Sequence, residues 1–299
     1  MTLSSLAFLL AACAAPEAED SGAMARDVAV GVGFTCALTR DYQPVCWGED
    51  AAWLGPAPAH EYQFIDAGGG YVCGIEMDGS ISCWTGSDVP EEIALTVSSA
   101  PSGSFQSLSV SLGGACALDL EGHAQCWSRE GLAARTPTDV VFTALEVGND
   151  GACGLLEDAT ILCFCDPEEC TVNGWPEGAW EQLAVGRFHA CVLGAEGIPH
   201  CWGNSMYTDP PEGVRFSTIS AGWDYTCGVA LDGEVVCWTT FFDDNSALDD
   251  EELWDHEPEG VFVDVEVEWS VGAAVTANRD IVDFGYTTGG SFQEAARTP

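Results

Sequence analysis

Apolar and polar positions recur along this chain in a fixed order. The unit is clearest at 221–238, AGWDYTCGVALDGEVVCW, where short apolar runs flank a polar turn. In most units an aromatic residue stands eleven positions before the first cysteine, an apolar residue two after it and an aromatic residue eleven after it. Short runs rich in β-branched and aromatic residues between turn signals are typical of strands. The pattern predicts at least three short strands per unit and no amphipathic helix of convincing length.

Six units contain two cysteines that are ten residues apart, although successive units start 36 to 43 residues apart. Constant spacing within a variable period indicates one supersecondary unit joined by variable connections. A three-residue loop ending in a left-handed Gly, as at Leu231-Asp232-Gly233, is a common hairpin connection. Counting outward places Cys227 opposite Cys237, at about 4.5 Å, a separation that suits a disulfide. The predicted pairs are Cys36–Cys46, Cys73–Cys83, Cys116–Cys126, Cys153–Cys163, Cys191–Cys201 and Cys227–Cys237.

Two further features bear on the cysteines. A seventh unit at 271–286 lacks both, and counting assigns their positions to Ala274 and Phe284. Their joint loss fits paired cysteines better than the alternatives, free buried thiols or metal thiolates. The fourth unit adds Cys165 and Cys170, which we expect to form a seventh disulfide. A zinc site including Cys153 is the alternative, but the spacing is not that of a zinc ribbon.

The charge balance narrows the choice of partners. The chain has 48 acidic residues against 8 basic ones, all Arg, for a net charge of −40. This excludes nucleic acid, which requires neutralisation of phosphates, and disfavours anionic membranes. An acidic surface without Lys is typical of proteins from a saline habitat, and binding of a basic partner is the more specific explanation. Residues 243–268 hold twelve acids, but Asp243, Asn245 and Ala247 break the calcium-loop register, so a solvated acidic loop is expected.

The first residues resemble a bacterial lipoprotein signal. Residues 1–12 are mostly apolar, and Leu10-Ala11-Ala12-Cys13 resembles the lipobox, although a basic n-region is missing. The segment is too short to span a bilayer. We expect a signal peptide at 1–12, lipidation of Cys13, a tether at 13–26 and, from Ala14, an outer-membrane location; a plain secreted terminus is the alternative. Without Cys13, fourteen of the fifteen cysteines remain, an even set for an oxidising compartment.

One segment carries a family resemblance. Residues 183–193, LAVGRFHACVL, resemble the signature of the regulator-of-chromosome-condensation repeat family, as do the Asp-Gly turns and the Trp-Gly steps at Trp47 and Trp202. The resemblance covers residues 27 to about 290 and implies an all-β, seven-bladed β-propeller. Departures are the cysteine pairs, the loss of His from most units and the degenerate last unit. Periods near 37 residues are more similar to those of bacterial β-lactamase-inhibitory propellers. The repeats are expected at about 27–61, 62–104, 105–141, 142–179, 180–215, 216–261 and 262–299.

An open solenoid of hairpins is the structural alternative, and it would leave sheet edges exposed. No nucleophile elbow, zinc-protease motif, phosphate loop or dinucleotide fingerprint is present, so we expect no enzyme activity, cofactor or metal. Two sets of residues are candidates for binding. One lies two positions before the first cysteine, where packing against the next blade is the alternative: Phe34, Tyr71, His189 and Tyr225. The other lies in the connections: Trp53, Tyr207, Phe241, Phe242 and Trp254. The five Trp at plus eleven are expected in the core between blades.

The sequence thus predicts a monomeric propeller, cross-linked by disulfides, that binds a protein partner of unknown identity, and the acidic charge would suit a basic one. It would be secreted across the inner membrane of a bacterium and would touch the outer membrane or cell surface only through its lipid anchor. A polysaccharide-binding or polysaccharide-active propeller and a purely structural surface lipoprotein are the alternatives. A hydrolase would need two converging carboxylates about 5–9.5 Å apart. The family's nucleotide exchange on a small GTPase beside chromatin conflicts with the lipobox, the disulfides and the charge.

Overall fold

The computed structural model describes residues 25–127, 132–149, 151–165, 174–203, 208–223, 225–238, 258–269 and 271–285. These residues form seven antiparallel sheets of three strands, each built from consecutive strands. This confirms the predicted all-β, seven-bladed propeller with hairpin disulfides. Several predicted features lie outside the described residues: the segment 1–12, Cys13, Cys170, Tyr207, Phe241, Phe242, Trp254 and most of the acidic loop.

Each blade begins with an inner strand and continues outward through two more. The first three blades are β1 (Val28–Gly31), β2 (Phe34–Leu38) and β3 (Pro44–Trp47); β4 (Tyr62–Gly68), β5 (Tyr71–Glu76) and β6 (Ile81–Thr85); and β7 (Phe105–Ser111), β8 (Gly114–Asp119) and β9 (Ala124–Trp127). The next two are β10 (Phe142–Val147), β11 (Gly151–Leu156) and β12 (Ile161–Cys165); and β13 (Gln182–Val185), β14 (His189–Leu193) and β15 (Pro199–Gly203). The last two are β16 (Phe216–Ala221), β17 (Thr226–Ala230) and β18 (Val235–Trp238); and β19 (Phe262–Glu268), β20 (Val271–Thr276) and β21 (Ile281–Gly285).

The connections contain short helices that the repeat pattern did not predict. They are a 3-10 turn at Ala51–Trp53, α1 (Glu91–Ser98) and α2 (Leu132–Arg135). In α1, Ile93 and Val97 pack against the core between the second and third blades. The helix is only eight residues long, so its periodicity is too brief to stand out in the sequence. No helix in the described ranges has the length and apolar character needed to cross a membrane.

The hairpin register agrees with the prediction. All six pairs of cysteines are disulfides, with Cα atoms 3.9–4.0 Å apart. Gly79 and Gly233 at the turns have φ of 88° and 92°, the left-handed region that this loop requires. Cys165 is also disulfide-bonded, and because Cys153 is bonded to Cys163 the proposed zinc site of free thiols is excluded.

The seventh blade corrects one assignment. The positions equivalent to the cysteines are Ala273 and Asp283, which face each other in the pairing of β20 with β21. The sequence-based assignment of Ala274 and Phe284 is therefore wrong by one residue. The unit lacks the cysteines that fix the register elsewhere. Arg279, with φ of 65°, takes the left-handed turn position that Gly holds in four blades and that Tyr42 and Ala159 hold in the first and fourth.

The core consists of seven apolar clusters, one at each junction between neighbouring blades. The aromatic residue eleven positions after the first cysteine packs in the junction with the preceding blade. All members of this set are buried, as predicted for the Trp residues: Trp47, Trp84, Trp127, Phe164, Trp202, Trp238 and Phe284. Blade-to-blade burial of large aromatics therefore supplies the main apolar stabilisation of the ring.

The ring is closed between the last blade and the first. One apolar cluster joins Val271 and Val275 to Val28 and Trp47. Asp283 Oδ1 accepts a hydrogen bond from Thr35 Oγ1 at 3.0 Å, and its Oδ2 accepts one from Trp47 Nε1 at 2.6 Å. The open solenoid is therefore wrong. Each described sheet consists of three consecutive strands, so no sheet combines strands from both ends of the chain. The ring is therefore closed by side-chain packing and polar contacts between the last blade and the first.

Candidate functional site

The seven inner strands surround a central channel. Residues from all seven line a cavity of about 140 Å³. Its wall carries carboxyl groups from the first, second, fourth and seventh blades, notably Asp27, Asp66, Glu146, Glu266 and Glu268. Several ionisable side chains lie close together here, which makes the channel a candidate catalytic or binding site.

Polar side chains of the channel hold neighbouring inner strands together. In five junctions a side chain of one blade accepts a backbone N–H from the next blade at 2.6–3.1 Å. The acceptor usually stands seven positions before the first cysteine. In the first and fifth blades that position is Ala29 or Ala184, which has no acceptor in its side chain. There the side chain two residues earlier accepts the hydrogen bond. The acceptor and donor pairs are Asp27 with Ile65, Asp66 with Val110, Ser109 with Val147, Gln182 with Ile219 and Ser220 with Val267.

Two junctions add a Ser–Glu pair. Ser109 Oγ donates to Glu146 Oε2 at 3.0 Å while accepting the Val147 N–H. Ser220 Oγ donates to Glu266 Oε2 at 3.0 Å in the same arrangement. These hydroxyls give buried inner-strand N–H groups of the next blade a hydrogen-bond partner.

Burial sets the proton affinity of the channel carboxyls. Desolvation raises the pKa of Asp27 and of Glu146 to about 7 and that of Glu268 to about 8. Desolvation and neighbouring carboxyls raise the pKa of Asp66 and of Glu266 well above the ordinary values. Perturbed carboxyls also occur at catalytic sites. Here the cavity is smaller than the roughly 300 Å³ of the smallest usual ligand pockets, and four of the five carboxyls are hydrogen-bonded to the blades. The channel is therefore best understood as a structural element.

Four of the candidate aromatic and histidine residues are buried between blades. Phe34, Tyr71, His189 and Tyr225 are at most 8% exposed. The Tyr71 hydroxyl donates to the Ser111 carbonyl oxygen, and the Tyr225 hydroxyl donates to that of Val271. His189 Nε2 lies 2.7 Å from Thr226 Oγ1, and burial lowers the pKa of His189 to about 4, so it is neutral at physiological pH. Each reaches the following blade, so the packing alternative holds; Phe34 also lines an apolar groove beside Trp53.

The loops between the first and second strands form one face of the propeller, called here the loop face. At the loop apex, four positions before the first cysteine position, Arg187 and Trp223 are half-buried and Trp269 is exposed. The Arg187 guanidinium lies 4.0 Å from the ring centre of Trp223 and 4.3 Å from that of Phe188, as cation–π contacts. Trp223 in turn makes an edge contact with Trp269 of the next blade. These four residues form what we call the aromatic arc.

A second exposed aromatic lies on the same face. Trp53, from the connection between the first and second blades, is 68% exposed, and Trp269 is 41% exposed. Both line a mostly apolar groove of about 400 Å³ beside the channel mouth. Trp53 is the member of the connection set that the structure describes, and it is exposed as that prediction requires.

Trp223 and Trp269 were missed by the sequence analysis although both are visible in the sequence. They occupy equivalent positions in the sixth and seventh blades, four before the first cysteine position. The one-residue error in the register of the seventh unit hid that equivalence. In addition, the residue two positions before the cysteine, on which the prediction relied, is buried in the junction between blades. The residue four positions before the cysteine lies at the loop apex.

One group of possible metal ligands lies far from both regions, in the hairpin of the third blade. Asp119, Glu121 and His123 offer atoms within 4.8 Å of one another. Asp119 Oδ1 already accepts the backbone N–H groups of Glu121 and His123, which accounts for its position. The group is a turn motif in partly exposed surroundings and carries no functional assignment.

Comparisons with known proteins agree on the fold. No protein-family model matches the chain. Similar structures include the CRINKLY WD40 ectodomain of the Arabidopsis thaliana receptor kinase ACR4, which is 21% identical with a TM-score of 0.70 over 90% of this chain and 98% of that one. The ectodomain of the Physcomitrella patens receptor kinase CR4 is 21% identical, with a TM-score of 0.68 over 87% of this chain and 73% of that one.

The regulator-of-chromosome-condensation propellers are also similar in fold. Prp20p from Saccharomyces cerevisiae is 14% identical, with a TM-score of 0.61 over 90% of this chain and 83% of that one. Among curated proteins, the serine/threonine-protein kinase-like protein CCR2 of Arabidopsis thaliana is 28% identical over 122 residues, or 32% of this chain. That alignment spans 16% of the relative. These similarities establish the propeller architecture.

Proposed function

We propose that this chain is a non-enzymatic propeller that binds a protein partner through its loop face, as a lipid-anchored component of the bacterial cell envelope. The observation that carries the proposal is the loop face itself, where the exposed Trp53 and Trp269 and the half-buried Trp223 and Arg187 lie on a scaffold cross-linked by disulfides. Trp and Arg are the residue types most enriched at energetic centres of protein interfaces. Loops fixed on a rigid frame are the usual carriers of recognition.

The structural neighbours support this choice of class. Two are receptor ectodomains, and Prp20p is described with its binding properties to Gsp1p and histones, so related architectures act in contexts of protein recognition. A nucleic-acid role is opposed here, because a chain with a net charge of −40 cannot neutralise the phosphates of a nucleic acid. The envelope location rests on the lipobox resemblance at Cys13.

The test uses the full chain, with its disulfides intact, as bait for the envelope fraction of the source organism. We expect one protein to be retained in stoichiometric amount at both about 0.1 M and about 1 M NaCl, because apolar contacts survive screening. The double variant Trp53→Ala/Trp223→Ala should lose it. The matched control is Leu231→Ser, which is 66% exposed on a hairpin turn and should retain it. Retention of polysaccharide alone, or of nothing, would overturn protein binding and favour one of the two alternatives.

Anchoring is tested separately. Expressed in a bacterial host with labelled palmitate, the wild-type chain should incorporate the label and sediment with membranes. Cys13→Ala should do neither, while the six hairpin disulfides of the soluble product remain intact. Labelling of Cys13→Ala, or absence of labelling from both, would contradict the lipid anchor.

A further inference from the structure

The groove on the loop face is formed where loops of the first, second, third and seventh blades meet the connections that follow the first and second blades. The first-blade loop contributes Val32, the connection after the first blade contributes Trp53 and Leu54, and α1 contributes Ile93. Leu112 and Trp269 are also among the lining residues. Its volume of about 400 Å³ lies within the range of usual ligand pockets, roughly 300–1,000 Å³. The groove can therefore admit one or two large side chains.

Trp53 is presented by a fixed backbone. The Asp50 N–H donates to the Gly33 carbonyl, and the Trp53 N–H donates to the Asp50 carbonyl, both at 3.0 Å. The next residue, Leu54, is only 2% exposed. The Trp53 carbonyl packs so closely on Gly86 that a Cβ at Gly86 would overlap it. A large exposed indole on a pre-formed segment loses little conformational entropy on binding, which favours a role in recognition.

Trp269 supplies an independent observation. Its φ is 51°, in the left-handed region, where the equivalent residue of the second blade is Gly69 with φ of 56°. A bulky side chain rarely adopts this conformation, and such outliers cluster at functional sites. The conformation places an indole that is 41% exposed at the edge of the groove, where Gly would leave nothing to contact a ligand.

The charges around the groove indicate what it can accept. Asp50 and Asp88 belong to its lining, which contains no Lys, Arg or His among the described residues. Glu91 and Glu92 follow directly, in the first turn of α1, where they also favour the helix N-terminus. A ligand with acidic residues would be repelled by this edge and by the net charge of −40. Apolar walls with an acidic edge match a partner that is apolar at its centre and basic at its flanks.

We propose that this groove binds a peptide segment of the partner in which one large apolar side chain is flanked by Lys or Arg. The inference rests on the proposed protein-binding function and specifies the class of its partner. Trp53 and Trp269 hold the apolar side chain between them, and Asp50 and Asp88 face the basic flanks.

The test measures fluorescence anisotropy of labelled nonapeptide pools added to the full chain. Each pool has Leu, Phe or Trp at its centre. One pool has Lys and Arg among Gly and Ser in the flanks, and the other has Asp and Glu there. We expect the basic pool to bind at least about tenfold more tightly, and the difference to shrink as NaCl is raised. Trp53→Ala and Trp269→Gly should each weaken binding about tenfold or more, the loss expected at an interface hot spot.

Two further variants complete the test. Asp88→Lys should reduce the preference for the basic pool, while Leu231→Ser on the hairpin turns should change affinity by less than about twofold. Equal binding of the two pools, or binding that is insensitive to Trp53→Ala, would overturn the proposal, as would binding of neither. A concentration-dependent dimer in sedimentation that Trp53→Ala abolishes would replace the peptide by a second copy of this chain.

The two proposals fail in different ways. If the envelope partner is retained by Trp53→Ala and by Trp269→Gly, protein binding stands and the groove is not its site. If the wild-type chain retains no protein, the function itself fails, whatever the peptides do. Circular dichroism and the disulfide map of each variant show whether the propeller is intact.

Discussion

Replacing Asp283 by Ala should loosen the propeller at the junction between its seventh and first blades. Asp283 stands where the other blades have the second cysteine, and it accepts hydrogen bonds from Thr35 at 3.0 Å and Trp47 at 2.6 Å. By contrast, the indole N–H groups of Trp84 and Trp127 have no hydrogen-bond partner in the described part of the chain. In place of the disulfide that links two strands of one blade, the seventh blade has hydrogen bonds from Asp283 to the first blade.

The size of the effect follows from three contributions. A hydrogen bond to a charged group contributes about 1.5–3 kcal/mol, and a buried donor left without a partner costs about 1–3 kcal/mol. Against this, burial raises the pKa of Asp283, so the variant is relieved of a desolvation cost. We expect a net loss of about 2–4 kcal/mol in the free energy of unfolding. Asp283→Asn keeps one acceptor oxygen and no charge, so it should lose less than half as much.

The assay combines guanidinium unfolding, with disulfides intact, and native-state hydrogen exchange. The midpoint should fall, and amide exchange should accelerate in β1, β2 and β20 while β8 changes least, because the ring opens where the contacts were removed. The control is Asp158→Ala. Asp158 also accepts two hydrogen bonds, from the backbone N–H of Thr160 at 3.1 Å and from the Oγ1 hydroxyl of Thr160 at 2.6 Å. These bonds lie within one exposed hairpin and do not join blades.

Asp158→Ala should leave the midpoint unchanged. If both variants lower it equally, the loss reflects hydrogen bonds in general and the closure argument is refuted. Uniform acceleration of exchange in all blades would refute it as well.

Three further outcomes are expected. Burial raises the pKa of Glu268 from 4.5 to about 8, so between these values the folded chain holds a proton that the unfolded chain has released, and the unfolding free energy should fall as pH rises. Glu268→Gln should flatten that slope in denaturation series at constant high salt, and an unchanged slope would contradict it. Replacing Cys191 and Cys201 by Ser removes a link over ten residues and should cost about 3 kcal/mol in the same assay; no loss would argue against the chain-entropy account. Gly68→Ala should cost about 1–3 kcal/mol because its Cβ would overlap the backbone of Ser111, whereas Gly194→Ala meets only ordinary contacts and should cost less; equal midpoints would contradict the close approach.

The hairpins could be predicted from the sequence because two kinds of residue fix their geometry locally. Cysteines at a constant separation define the pairing, and Gly at the turn defines the loop. The seventh unit lacks both the cysteines and the turn Gly, and there the predicted strand register differs by one residue from that of the structure. That displacement moved Trp269 out of alignment with Trp223 and concealed the aromatic arc.

Burial of individual loop residues could not be predicted because it depends on the neighbouring blade. Tyr71 and Tyr225 look like exposed aromatics in a polar loop, yet each donates its hydroxyl to a backbone carbonyl of the following blade. The channel contacts are hidden for the same reason. Nothing within one repeat shows that Asp66 accepts an N–H from Val110, which lies 44 residues later.

The confinement of the described disulfides to single hairpins has a consequence for oxidative folding when the cysteines become available in chain order. When Cys46 emerges, its partner Cys36 is ten residues behind it, and the next cysteine, Cys73, is 27 residues ahead. Closing the shorter loop is entropically favoured about fourfold, before any contribution from the turn. Correct pairing thus follows the order of emergence. The fourth blade is the exception, because Cys163 and Cys165 are two residues apart and compete for Cys153, so scrambled links are expected there first.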